Sequence, residues 1–219
     1  MEYIYFSRPD SNIEGVNVHV SRKAAGKILA KEAPADVDVV VWVPDSSTSA
    51  ALGYAEELGV PAEMGLIKNR YVGRTFIQPS QEMREKGVKM KLSPVRSIVE
   101  GKRIALVDDS IVRGTTSKKI ISLLKEYGAT EVHMRIAAPP IISPCFYGVD
   151  TSTYDELISA RHTIDEVRDI IQADSLAFIS EEGILKACNR NKMCTSCFNG
   201  KYPTYIYQDK EDANKDGKF

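Results

Sequence analysis

Residues 37–43, Val-Asp-Val-Val-Val-Trp-Val, make an almost unbroken apolar run of mostly β-branched side chains. A half-buried strand alternates apolar and polar residues. A run without that alternation belongs to a strand covered on both faces, and so to a parallel sheet flanked by helices. Residues 103–107 resume the pattern farther along, and 131–138 read as another strand. Helical stretches separate these runs. One spans 21–30 with Ser21 as its cap, one spans 49–58 and closes at Gly59, and an amphipathic one spans 115–127 and closes at Gly128. Further helices are predicted over 163–171 and 181–186, and a short extended segment over 16–20. The alternation predicts an α/β fold, a largely parallel sheet with helices on both faces, in which 37–43 and 103–107 are central strands. Trp42 is expected in the core.

At 219 residues the chain is long enough for one sizeable α/β domain. It carries 29 basic and 30 acidic side chains, a formal charge of −1. That balance offers no broad attraction to nucleic acid or to an anionic membrane, so neither is an expected partner. An anionic ligand must be held by local arrangement instead. No apolar run has membrane-spanning length, and Met1-Glu2-Tyr3-Ile4-Tyr5-Phe6 lacks the basic and apolar regions of a signal peptide. The expected location is cytoplasmic. Residues 1–208 are expected to form one domain, and 209–219 a polar, mobile tail.

The chemistry is concentrated in Ile104-Ala105-Leu106-Val107-Asp108-Asp109-Ser110-Ile111-Val112-Arg113-Gly114-Thr115-Thr116. An apolar strand ends in two adjacent carboxylates, and a short loop then opens straight into a helix. Such a loop points backbone N–H groups and the hydroxyls of Ser110, Thr115 and Thr116 at a phosphate, helped by the positive end of the helix dipole. Gly114 allows close backbone approach. Asp108 and Asp109 would repel a phosphate. They are expected to face ribose hydroxyls, or a magnesium ion that a few carboxylates share with a substrate. An isolated Asp-Asp-Ser would be no more than a helix cap; the flanking strand and Arg-Gly-Thr-Thr make it a phosphate site. The segment 68–99 is different in character. It is basic through Lys68, Arg70, Arg74, Arg84, Lys86, Lys89, Lys91 and Arg96, and it is broken by glycines and prolines, as expected of a lid over a ligand.

The 104–116 motif resembles the phosphoribosyl pyrophosphate motif of the type I phosphoribosyltransferases. Longer stretches, including Val43-Pro44-Asp45-Ser46-Ser47, residues 65–79 and Pro144-Cys145-Phe146-Tyr147-Gly148-Val149-Asp150, are similar to the transferase half of the glutamine phosphoribosylpyrophosphate amidotransferases. The resemblance runs from about Glu2 to Asp209. It implies a type I phosphoribosyltransferase fold with a flexible lid. It further implies magnesium-dependent transfer of phosphoribose from phosphoribosyl pyrophosphate, with ammonia as nitrogen donor and purine nucleotides as candidate inhibitors. Position by position, it assigns Asp45, Ser46, Ser47 and Thr48 to a pyrophosphate loop. Ser46, Asp108 and Asp109 fall to magnesium. Asp109, Ser110, Val112, Arg113, Gly114, Thr115 and Thr116 fall to the ribose 5-phosphate cradle, with Asp108 beside them. Lys68, Arg70, Tyr71 and Arg74 fall to the lid as catalytic residues, the cations neutralising the leaving pyrophosphate. The family's N-terminal glutaminase domain is expected to be absent. A nucleobase transferase, a metabolite sensor and an inactive remnant are the competing readings, and self-association is left open.

Cys145, Cys188, Cys194 and Cys197 are the four cysteines. One branch of the resembling family holds a [4Fe–4S] cluster, and Cys145, Cys194 and Cys197 match three of its ligands. Cys188 is the candidate fourth. Four thiolates suit an iron–sulfur cluster or zinc, while buried, metal-free thiols are the alternative. His19, His133 and His162 are scattered and are expected to be structural.

Overall fold

The structure, a computed structural model, describes residues 1–69, 92–151 and 153–206. A π-helical turn (Glu2–Phe6) leads into a small antiparallel pair, β1 (Asn12–Ile13) and β2 (Val16–Asn17). Helix α1 (Val18–Glu32) starts earlier than expected, because the Asn17 carboxamide accepts from the Val20 amide at 3.1 Å and caps it. Ser21, the expected cap, lies within the helix, where its hydroxyl donates to Cys188 Sγ at 3.3 Å.

Strand β3 (Val39–Trp42) is followed by α2 (Thr48–Leu58), which closes at Gly59 in the left-handed region. An antiparallel pair, β4 (Leu66–Lys68) and β5 (Leu92–Pro94), stands apart from the main sheet. Short α3 (Arg96–Val99) precedes β6 (Arg103–Asp108). Then come α4 (Thr115–Glu126), β7 (Glu131–Ile136), α5 (Ile158–Arg161), α6 (Ile164–Ile171), β8 (Ser175–Phe178), α7 (Glu181–Ala187) and α8 (Ser196–Asn199).

The main sheet is parallel throughout, in the order β3-β6-β7-β8. β6 is central as expected. β3 ends the order, although Ala62 adds one parallel bridge to Val40 on its outer side. β8 was not foreseen: its Ser-Leu-Ala-Phe sequence is short and entirely half-buried. Helices α1, α2 and α7 pack as one group, and α4 and α6 as another. Val40, Val41, Ile104, Leu106, Met134 and Ile136 are fully buried between them.

Two interactions lock the layers. Arg135 of β7, buried, donates from Nε to the Ala33 carbonyl (2.9 Å) and from Nη1 to Ser175 Oγ (2.9 Å), tying the end of α1 to β8. Helices α1 and α2 touch backbone to backbone. A Cβ on Gly26 would sit 1.8 Å from the Ala50 carbonyl oxygen, and one on Gly53 1.9 Å from that of Lys23. Gly26→Ala and Gly53→Ala are each expected to cost about 3 kcal/mol of unfolding free energy by urea denaturation, since overpacking forces the backbones apart. Gly59→Ala, with nothing within 4 Å but φ at +72°, should cost only about 1 kcal/mol. Equal costs at the three positions would contradict the close approach.

Candidate functional site

The parallel register pairs Trp42 with Val107, so the segments leaving β3 and β6 emerge at the same carboxyl edge. Ligands of open α/β sheets gather at that edge. Asp45 and Asp108 therefore share one side of the sheet, as a common site requires. The Pro44–Asp45 peptide is cis. The two segments are braced together. Ser46 Oγ donates to Asp109 Oδ2, and Ser47 Oγ donates to Asp108 Oδ1 at 2.9 Å. The Asp109 amide also donates to Asp108 Oδ1 (2.9 Å), and Ser110 Oγ donates to Asp109 Oδ1 (2.7 Å). Thr48 turns back to the Asp45 carbonyl at 2.8 Å, closing the 45–48 loop on itself.

Asp108 and Asp109 are 8% and 7% exposed. Loss of water and then the charge of Asp109 push the Asp108 carboxyl far above the usual carboxylate range. Loss of water raises Asp109 as well, against the opposing pull of the Ser46 and Ser110 hydroxyls and the Arg22 charge. Two desolvated carboxylates with hydroxyls at their oxygens form a hard, oxygen-only donor set. That set fits magnesium, which takes few protein carboxylates and completes its shell from substrate and water.

Beyond the pair, Gly114 caps α4 at φ +74°, and no side chain caps the helix's first N–H groups. Thr115 and Thr116 are exposed in that first turn. A Cβ on Gly114 would meet Ile158 Cδ1 at 2.8 Å, so the loop seats directly on α5. Val112 is half-buried, and its carbonyl accepts from the Ile158 amide at 2.9 Å. Arg113 turns outward to Glu156, with 2.6 Å between Nη2 and Oε1. Lys68 stands across the edge with its Nζ 3.4 Å from Asp45 Oδ2. Trp42 is half-buried instead of central to the core. It lines an open cleft of about 630 Å³ with Asp45, Thr48, Leu66 and Lys68. Arg70, Tyr71 and Arg74, and the rest of the proposed lid through Lys91, lie outside the described residues, as does the tail from 209.

The cysteines do not assemble as the four-ligand expectation required. Cys188 is buried, with Ser21 as its partner. Cys145 and Cys194 act electrostatically on Cys197, whose thiol burial pushes up to about 11. Among the described residues no group of three or more His, Cys, Asp or Glu side chains is placed to hold a metal ion. His19 bonds Ser49 Oγ, and His133 lies between Ser175 and Glu131. Arg22 was missed. It is 5% exposed and faces the same small cavity as Ser46, Ser47 and Asp109. The sequence carries no local signal for it, since a lone arginine in a helix usually points to water.

Residues 15–139 match the model of the phosphoribosyl transferase domain, more than half of the chain. The chain belongs to this family. Among its relatives, the amidophosphoribosyltransferase of Bacillus subtilis (strain 168) is 63% identical over 215 residues, which is 95% of this chain and 45% of the relative. That of Methanocaldococcus jannaschii is 56% identical over 209 residues, 95% of this chain and 44% of the relative. The solved glutamine phosphoribosylpyrophosphate amidotransferase of B. subtilis, complexed with ADP and GMP, superposes with a TM-score of 0.89 at 63% identity, covering 95% of this chain and 47% of that one. A structure described as the allosteric regulatory enzyme of purine biosynthesis matches at 0.89 and 64%, covering 95% and 46%. This phosphoribosyl transferase domain thus spans less than half the length of the curated relatives it matches. No helix among the described residues is long and apolar enough to cross a membrane.

The buried pair generates a stability prediction. Asp108→Asn keeps an oxygen for Ser47 and the Asp109 amide but removes a desolvated charge. A carboxyl with a raised pKa in the folded state binds more protons folded than unfolded, so it costs stability increasingly as pH rises from about 4. Without magnesium, Asp108→Asn should therefore raise the thermal midpoint at pH 8 by roughly 3 °C or more. The gain should vanish near pH 4. An equal gain at both pH values would mean that the charge is not what the substitution relieves.

Proposed function

We propose that this domain transfers phosphoribose from phosphoribosyl pyrophosphate to ammonia, giving 5-phosphoribosylamine and pyrophosphate, with magnesium required. The observation that carries this reading is the buried Asp108–Asp109 pair, braced to the 45–48 loop by Ser46 and Ser47 at the mouth of α4. Carboxylates stand where ribose hydroxyls need acceptors, and helix N–H groups stand where a 5-phosphate needs donors. The family membership and the amidophosphoribosyltransferase relatives support the same assignment.

The Asp109–Thr116 stretch holds the ribose phosphate, and the Asp45–Thr48 loop holds the pyrophosphate on the opposite side of the anomeric carbon. Lys68, at the rim beside Asp45, supplies positive charge toward the pyrophosphate; Arg70 and Arg74 are proposed to add to it. Bound by Asp108, Asp109 and Ser46, magnesium would neutralise negative charge on the pyrophosphate. The bond from the anomeric carbon to pyrophosphate breaks with its electron pair on the leaving oxygen. The lone pair of ammonia forms the new C–N bond, and the resulting ammonium gives its extra proton to solvent. Ammonia suits this chemistry because it is itself the nucleophile and needs no hydrolytic step. Purine nucleotides, which share a ribose 5-phosphate with the substrate, are proposed to compete for the same cradle.

The test is pyrophosphate release by the purified 219-residue chain with phosphoribosyl pyrophosphate, magnesium and either ammonium or glutamine. Turnover should require magnesium and, at fixed total ammonium, rise with pH as the unprotonated donor increases. Asp108→Asn and Asp109→Asn should each lower kcat/KM by at least about 100-fold, roughly 2.7 kcal/mol of transition-state stabilisation. Near-normal turnover in both variants would overturn the site, and glutamine serving as well as ammonium would overturn the donor.

A further inference from the structure

The loop that opens α4 works through the direction in which its peptides face. The Val112 carbonyl accepts from the Ile158 amide at 2.9 Å. The Val112–Arg113 peptide is trans, and a trans peptide points its C=O and its N–H to opposite sides. With the carbonyl held against α5, the Arg113 N–H is turned away from it. Among the described residues that N–H has no acceptor. A free N–H beside the uncapped first turn of α4 adds a donor for an anion. The next residue, Gly114, has φ +74°, and a Cβ there would lie 2.8 Å from Ile158 Cδ1. The Arg113 side chain goes to Glu156, with 2.6 Å between Nη2 and Oε1. Three consecutive loop residues are thus held by Glu156 and Ile158. That holder is firm: Ile158 is 5% exposed, Leu157 is fully buried, and the Leu157 amide donates to the Tyr154 carbonyl at 3.0 Å.

We propose that Ile158 is a positioning residue of the 5-phosphate cradle: its backbone amide sets the Val112–Arg113 peptide so that the Arg113 N–H faces the phosphate. Ile158 touches neither substrate nor reacting atoms and acts through the loop. A basic side chain in a phosphate loop suggests a direct ion pair, but this guanidinium is already taken by Glu156. Arg113 therefore serves the phosphate with its backbone. This rests on the function proposed above, because the orientation has a use only if a 5-phosphate docks at the loop.

The amide and the side chain are separable. Ile158 is the first residue of α5, where proline is tolerated, and Leu157 before it is already extended at φ −92° and ψ 103°. Ile158→Pro removes the amide and Ile158→Ala keeps it, while both shorten the side chain. KM and kcat for phosphoribosyl pyrophosphate are separated in the ammonia assay, with thermal midpoints in parallel. Two competitors divide the proposed site: ribose 5-phosphate carries the group for the cradle, and magnesium pyrophosphate the group for the 45–48 loop. Ile158→Pro should raise KM and the inhibition constant of ribose 5-phosphate about tenfold, the size expected when one hydrogen bond to a charged group is lost. Its kcat and the inhibition constant of pyrophosphate should change less than about threefold, and Ile158→Ala should stay within about threefold throughout. Inhibition by ribose 5-phosphate that is unchanged in Ile158→Pro, weakened equally in Ile158→Ala, or weakened together with that by pyrophosphate would overturn the proposal. If Ile158→Pro does not fold, amide exchange in the unsubstituted protein, followed by nuclear magnetic resonance, decides. The Ile158 amide should exchange slowly with or without ligand, and the Arg113 amide should slow at least about tenfold when ribose 5-phosphate binds. Any other pattern overturns the proposal. An unsubstituted protein that neither binds ribose 5-phosphate nor turns over phosphoribosyl pyrophosphate would defeat the function itself, and this role with it.

Discussion

Everything at the ligand edge depends on one register, the parallel pairing of β3 with β6. Trp42 opposite Val107 sets the points at which the two strands stop, and hence the distance between the 45–48 loop and the Asp108–Asp109 pair. Had β3 slipped by one residue, its side chains would exchange faces and Ser46 and Ser47 could not both reach the carboxylates. The hydroxyl–carboxylate brace then converts a backbone register into a side-chain arrangement. Buried, unsatisfied acceptors are expensive, so the brace is also a folding constraint: it forms only when both loops are in place.

The site carries unfavourable electrostatics by construction. Two neighbouring carboxylates are kept from water at the end of a strand that is apolar from Ile104 to Val107. A fold selected for stability alone would place an amide or an alanine there. Strain of this kind concentrates where a ligand will relieve it, and under the proposed function the hydroxyl groups of a sugar together with a divalent cation would do so. The rest of the domain offsets the cost through ordinary means: a continuous core across both helical groups, and the Arg135 linkage between layers.

Much of this was legible in the chain, for local reasons. The apolar runs at 37–43 and 103–107 located β3 and β6, because burial on both faces removes the polar alternation. The Asp-Asp-Ser loop located the site, because strand, carboxylates and helix start are contiguous. What failed depended on neighbours distant in sequence. Ser21 was expected to cap α1, yet Asn17 does so because the β1–β2 turn delivers its carboxamide to Val20. β8 escaped notice because Ser175-Leu176-Ala177-Phe178 has neither length nor alternation, and only pairing with β7 makes it a strand. Trp42 reads as core by hydrophobicity, but it is the last residue of its strand and faces the cleft. Arg22 was invisible because a lone arginine in a helix usually points to water, and its burial follows from the N-terminal turn folding over it.

The backbone contact of α1 with α2 has a mechanical consequence. Two helices whose backbones meet at Gly26 and Gly53 cannot slide or roll past each other there without collision. α2 begins at Thr48, immediately after the 45–48 loop, and α1 carries Arg22. The loop is therefore attached directly to a close-packed pair of helices, which limits how far it can shift. If the proposed substrate binds here, this face of the site would act as a gauge, admitting a ligand only when the span from its ribose to its last phosphate fits.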